Sequence, residues 1–212
     1  MTALAHAEAP APPHAPALAG ERELDLEALA AAQRGERWAR RALVETYQGR
    51  VHALAFRMLA GAGRRDRAED EDLVQDAFLR VFGALPRFVP GGPARLSTWI
   101  LGITARTVID ELRRRRPVAA VAVAPDELPG GERPDLRSEQ RGVGRAIERA
   151  VASLAPEVRA AFVLRAYHDL DYGEIAQTLE VGVGTVKSRL WRARAALQQH
   201  LHDVHEEARG RR

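Results

Sequence analysis

Apolar residues recur along this chain at three- and four-residue intervals, the spacing that gathers them on one side of an α-helix. From Leu24 the segment LDLEALAAAQRG reads as a first helix stopped by Gly35. A second run places Leu43, Tyr47, Val51, Leu54 and Met58 on one stripe over several turns. GAGRRDRAEDED is a polar break. DLVQDAFLRVFGAL then predicts a third helix, with Leu73, Ala77 and Val81 on one side and Val74, Phe78 and Phe82 beside them. Past the Pro/Gly loop RFVPGGPARLS, Ser97 or Thr98 is expected to cap TWILGITARTVIDELRRRR. That fourth helix ends before Pro117, because the residue preceding a proline is pushed out of the helical region. Periodicity resumes near Ser138, with a new start at Ser153 and Pro156.

The stretch DYGEIAQTLEVGVGTVKSRLWRARAAL, Asp171 to Leu197, has a sharper pattern. Asp171 with Glu174 three residues on is the signature of a capping box. Ile175, Ala176 and Leu179 share one face. Gly182 and Gly184 interrupt the chain, and Val183, Val186, Leu190, Ala193 and Leu197 form a second apolar stripe. Thr185, Lys187, Ser188, Arg189 and Arg192 lie mostly off that stripe. A short helix, a turn and a second helix with a polar, basic N-terminal half is the layout that reads the DNA major groove. A helical hairpin without DNA binding has the same outline, and such units occur in proteins of many functions.

These elements predict an all-α chain of two small domains. Residues 1–20, rich in Ala and Pro, read as a disordered tail. Residues 21–116 form the first helical domain and 117–137, rich in Pro and Gly, a flexible linker. Residues 138–204 form the helix-turn-helix domain, and 205–212 a second tail.

Hydrophobic content is 46% of 212 residues, enough for a packed core, and aromatic content is only 5%, which suits Leu- and Ala-rich helices. Formal net charge is +3, yet the isoelectric point is near 9.9. Lys187 is the sole lysine; the other basic residues are arginines. A GC-rich coding sequence accounts for much of that bias, but not for clustering. Four arginines, Arg113 to Arg116, stand at the predicted end of the fourth helix. Helix-terminal cations complement the dipole, but four exceed that need and suggest phosphate contacts. Trp99, with Phe88 and Arg95 upstream, reads first as a core tryptophan, and its surroundings also suit a platform for unstacked bases.

Glu69 to Asp72 lack the ligand spacing and turn glycine of a calcium loop, and acidic residues leading into a helix are favoured by its dipole. The chain has no cysteine, which excludes disulfides and thiolate metal sites. No phosphate-loop, dinucleotide, zinc-protease or nucleophile-elbow motif occurs, so neither an enzyme nor a cofactor or metal is expected. Without an apolar run of membrane-spanning length or a secretory leader pattern, membrane insertion is not expected and a cytoplasmic location is.

Taken in order, DLVQDAFLRVF (72–82), LSTWILGITARTVIDELRRRR (96–116) and LAPEVRAAFVLRAYHDLDYGEIAQTLEVGVGTVKSRLWRARAAL (154–197) resemble a bacterial RNA polymerase sigma factor of the extracytoplasmic-function (ECF) group. The resemblance covers about residues 24–116 and 138–200 and implies a subunit that binds core polymerase, directs it to promoters and helps open the duplex. It assigns Leu73, Gln75, Asp76, Phe78 and Arg80 to docking on the clamp of the polymerase's largest subunit. Phe88, Arg95, Trp99, Arg106, Thr107, Asp110, Arg113 and Arg114 fall in the segment that melts promoter DNA and holds the downstream box. Thr185, Lys187, Ser188, Arg189 and Arg192 match the residues that meet the upstream box. Promoter DNA and core polymerase are thus the implied partners. Many relatives are also held by an anti-sigma protein, some of them at the membrane, and association with the nucleoid is implied when the factor is active.

The chain departs from the family pattern in places. Thr107 replaces a common Asn, which implies a different downstream-box preference. Arg40 stands where an aromatic is frequent, with Trp38 as a substitute. Glu180 occupies a turn position usually held by Gly, and Gly182 one usually held by Pro or Ser. Either Glu180 is left-handed, at a cost of about 1 kcal/mol or more, or Gly182 shifts the turn by two residues. Two rivals explain less. A stand-alone helix-turn-helix regulator leaves DLVQDAFLRVF and the Trp/Arg segment without a purpose, and a helical adaptor that binds only proteins leaves the basic helix without one.

Overall fold

In the computed structural model, residues 23–60, 67–114, 147 and 149–210 are described, and no strand occurs among them. Asp25 caps α1 (Leu26–Gln33) by accepting from Ala28 N at 2.7 Å, and Gly35, at φ +91°, takes the chain out of the helix. Then follow α2 (Arg37–Leu59), α3 (Arg67–Ala84), a single 3₁₀ turn (Leu85–Arg87) and α4 (Leu96–Arg114). Residues 149–153 are helical. The second half continues with α5 (Pro156–His168), α6 (Tyr172–Thr178) and α7 (Val183–Gly210). The all-α, two-part architecture matches the sequence pattern.

Three boundaries differ. Helix α3 begins at Arg67, so much of the expected polar break is its first turns, with Glu69 and Asp70 at the positive end of the dipole. Helix α4 begins at Leu96, because the Arg95 carbonyl already accepts from Trp99 N at 2.9 Å. Ser97 and Thr98 therefore lie buried inside its first turn rather than capping it. Helix α7 runs on to Gly210, past residue 204. The expected tail 1–20 and linker 117–137 lie outside the described residues.

The stripe of α2 is the centre of the first half: Leu43, Tyr47, Val51, Leu54 and Met58 are all fully buried. Helix α4 is enclosed almost all round, packing on α2 and α3 and also on α5 and α6 of the second half. Its buried threonines satisfy their hydroxyls locally. Thr104 Oγ1 donates to Ile100 O at 3.0 Å and Thr107 Oγ1 to Ile103 O at 2.8 Å.

One apolar cluster runs from α1 through α4 into α5, α6 and α7, so the two halves share a core. Arg159 of α5, 5% exposed, reinforces that junction. Its guanidinium donates to Met58 O at 2.7 Å and Ala60 O at 3.4 Å at the end of α2, and to the Ala152 and Leu154 carbonyls in its own half. These are terminal carbonyls that helices leave without partners.

Candidate nucleic-acid interface

Helix α6 starts with a complete capping box: Glu174 N donates to Asp171 Oδ1 and Asp171 N to Glu174 Oε2, both at 2.8 Å. It ends in a Schellman turn. Val181 N donates to Ala176 O at 2.9 Å and Glu180 N to Gln177 O at 3.3 Å, with Glu180 left-handed at φ +54°. Gly182 has no positive φ and acts at the start of α7, its carbonyl accepting from Thr185 N and Val186 N. The alternatives for this turn therefore resolve to a strained Glu180, not a shifted turn.

Helix α7 buries Val186, Leu190 and Ala193 against α5 and α6. That packing leaves Thr185, Lys187, Ser188 and Arg192 exposed. Ser188 Oγ donates to Thr185 O at 2.9 Å, and Arg192 folds back on Ser188 through Nε and Nη2 at 3.3 and 3.4 Å. Arg189 is half-buried and turned toward Glu157 of α5. Burial pushes the Glu157 carboxyl up, but a backbone hydrogen bond, Arg113 and the Arg189 charge together hold it below the usual carboxylate range. The sequence reading missed Trp191, 70% exposed on the same helix. Its place off the Val186–Leu190–Ala193 seam was legible, but an isolated tryptophan reads as core.

In the first half, Gln33 of α1 pins the approach to α4 by donating from Nε2 to Leu85 O at 3.1 Å and Phe88 O at 2.7 Å. The Phe88 and Trp99 rings then meet at 5.1 Å between centroids and 48° between planes, both half-buried. Arg95 is exposed at the foot of α4. Along the helix, Arg106 Nη1 donates to Thr178 O at 3.1 Å and Glu180 Oε1 at 2.7 Å. Asp110 accepts from Arg80 of α3 at 3.4 Å. Arg113 holds Glu157 of α5 through Nε and Nη2 at 2.9 and 2.5 Å, and Arg114 pairs with Glu111 at 2.8 Å. On α3, Gln75, Asp76 and Arg80 are exposed and flank Leu79, 67% exposed.

Two family models match along this chain, Sigma-70 region 2 over residues 43–118 and Sigma-70 region 4 over residues 144–197. The RNA polymerase sigma-H factor of Pseudomonas aeruginosa is 31% identical over 88% of this chain and 98% of its own length. The chain is an RNA polymerase sigma factor of the ECF group. The ECF sigma factor SigE of Mycolicibacterium smegmatis is 35% identical over 75% of this chain, a match that spans 60% of that relative's length. Among solved structures, CnrH in complex with the cytosolic domain of CnrY aligns with a TM-score of 0.59 at 25% identity, over 85% of this chain and 99% of that one. The sigma factor RpoE of Bartonella quintana, solved with the anti-sigma factor NepR, shares the fold at a TM-score of 0.54.

Seen as a sigma factor, the chain needs several residue assignments revised. Leu73 and Phe78 are buried and hold α3 to the core, so of the residues expected to dock only Gln75, Asp76 and Arg80 are exposed, with Leu79 beside them. Thr107 is 1% exposed and its hydroxyl bonds its own helix, so it is not presented at the surface. Trp38 does not take the place of the missing aromatic: it points outward, its Nε1 on Glu36 Oε2 at 2.8 Å. Arg40 fills that place, its guanidinium 5.3 Å from the centre of the Phe82 ring. Among the described residues no helix is long and apolar enough to cross a membrane, and no cluster of His, Asp and Glu could hold a metal ion.

Proposed function

We propose that this sigma factor divides its work between three surfaces. The α3 face of Gln75, Asp76, Leu79 and Arg80 docks on the clamp of core RNA polymerase. Thr185, Lys187, Ser188 and Arg192, joined by Trp191, enter the major groove of the upstream promoter box. Phe88, Arg95, Trp99, Arg106, Asp110, Arg113 and Arg114 engage the downstream box as it melts. The observation that carries the reading is α7. Its buried Val186–Leu190–Ala193 seam fixes the helix and presents a polar, basic face at its N-terminal half. Arg and Lys suit this role because they satisfy both phosphates and guanine edges. An anti-sigma protein is a further proposed partner, and the cytoplasm, with the nucleoid during initiation, the proposed location.

The test is retention of core polymerase by the purified chain and transcription from a cognate promoter, for wild type and Gln75→Ala/Asp76→Ala/Leu79→Ala. These three side chains are exposed, so the variant is expected to keep its fold. Wild type is expected to retain polymerase and the variant to lose it. Arg192→Ala should keep polymerase binding and weaken recognition at one upstream base pair by about 1–3 kcal/mol. A folded wild type that polymerase does not retain, but that binds duplex DNA specifically, overturns the reading in favour of a stand-alone regulator.

A further inference from the structure

Helix α1 has no part in the three proposed surfaces, and it precedes both segments that match the sigma-factor models, 43–118 and 144–197. It packs on α2 through Leu29, Ala31 and Ala32. Yet the two ends of the α1 segment reach the two ends of the loop that leads into α4. At its last residue, Gln33 Nε2 donates to Phe88 O at 2.7 Å and to Leu85 O at 3.1 Å. An amide nitrogen carries two hydrogens, and both are used here. The Leu85 carbonyl also accepts from Phe88 N at 3.0 Å, so the 3₁₀ turn closes on itself and on α1 together. Just before α1, the Glu23 carboxylate accepts from Ser97 Oγ in the first turn of α4 and from the Tyr47 hydroxyl of α2, the latter at 2.7 Å. Between these anchors Gly92 N donates to Val89 O at 3.2 Å, and Gly91 is left-handed at φ +74° with Pro90 before it, a type II turn. The loop is thus shaped at its centre and held at both ends.

We infer that α1 is a brace for promoter melting and that Gln33 is a positioning residue, holding the loop backbone so that Phe88 and Trp99 form one platform before DNA arrives. The inference rests on the proposed engagement of Phe88 and Trp99 with the downstream box. Gln33 acts through Phe88 and touches no base itself. The brace supplies preorganisation: a platform already formed loses less freedom when the unpaired strand binds. The two hydrogen bonds span 52 and 55 positions of sequence, so the loop depends on a helix far from it in the chain.

The test compares full-length wild type with three variants, each bound to core polymerase. Gln33→Met keeps length and helix propensity but offers no donor. Gln33→Glu is isosteric and sets an acceptor against two acceptors. Gln33→Lys returns donors on a flexible stem. Each complex receives the cognate promoter twice, as an intact duplex and with the downstream box already unpaired by mismatches. On the intact duplex, Gln33→Met is expected to initiate about five- to thirty-fold more slowly, the effect of two net hydrogen bonds on the loop's population. Gln33→Glu should be slower still, and Gln33→Lys should recover most of the rate. On the unpaired template, where the cost of opening is already met, Gln33→Met should come within about two-fold of wild type. Slowing that is equal on both templates makes Gln33 merely structural and overturns the inference. So does an intact-duplex rate that neither Gln33→Met nor Gln33→Glu changes, or a lysine variant as slow as the methionine one. Trp99→Ala is measured beside them. If it opens the duplex at the wild-type rate, the platform reading falls and the brace with it; if it slows opening while Gln33→Met does not, only the brace falls.

Discussion

Glu180 shows how one residue can carry opposing terms. Its left-handed backbone costs about 1 kcal/mol relative to glycine. Its carboxylate, 70% exposed, bonds Arg106 at 2.7 Å, an interaction worth a few tenths to about 1 kcal/mol in water. The two nearly cancel, and substitutions separate them. Glu180→Gly removes both strain and ion pair and should leave the unfolding midpoint level or slightly raised. Glu180→Ala keeps the strain and loses the pair, and should lower the midpoint by about 0.5–1 kcal/mol equivalent. Thermal unfolding of the two side by side checks this, and a glycine variant less stable than the alanine one would refute the account of the turn. Asp169, also left-handed at φ +53°, ends α5 at lower cost, because aspartate tolerates that region better than most residues.

At the scale of elements, α4 and α5 are set by what their polar residues find. The threonines of α4 can be buried because each hydroxyl returns to its own helix. Arg159 can be buried because four carbonyls from two helix ends converge on it. Arg159→Met keeps most of the volume and strands those carbonyls, so it should cost about 2–4 kcal/mol. A denaturant titration followed by circular dichroism measures it. A loss below 0.5 kcal/mol, well under the range for a buried hydrogen-bonded charge, would mean that water or neighbouring groups replace the guanidinium. The loop before α4 follows the same logic: Gln33 replaces backbone partners for Leu85 and Phe88, which is why Phe88 meets Trp99.

For the whole molecule, the junction of the halves contains a titratable group. His168 of α5 lies in a cleft with Arg50 of α2 and Arg95, the residue just before α4. Burial, then the Arg57 and Arg50 charges, pull its imidazole from 6.5 down to about 4, against a small opposing effect of Asp169. A pKa lowered in the folded state means that folding favours the neutral ring. The contribution is complete above about pH 6.5 and is lost as pH falls from there toward 4. By pH 5 the loss is on the order of 2 kcal/mol at most. Denaturation midpoints at pH 7.5 and pH 5.0 should differ by that amount in wild type and by clearly less in His168→Gln. Equal pH dependence in the two would place the effect elsewhere, and the carboxylates of the interface would be the next groups to test.

The sequence alone determined whatever depends on neighbours along the chain. Periodicity placed the helices and their buried stripes, Leu43 to Met58 in α2 and Val186 to Ala193 in α7, because one residue advances a helix by a constant angle. Local chemistry placed the capping box at Asp171 and Glu174 and the stop at Gly35. The ordered motifs identified the family. Only the tertiary structure decided which side of each helix is used. Leu73 and Phe78 lie within the motif expected to dock yet face inward, and Thr107 sits among the positions expected to contact DNA yet bonds its own helix. Arg40 rather than Trp38 packs on Phe82, since that choice depends on where α3 lies against α2. The pairing of Arg106 with Glu180 and of Arg113 with Glu157 joins residues 74 and 44 positions apart. No local pattern encodes such contacts: they arise when two separately legible halves bury a common apolar face, and that face is what brings the charges together.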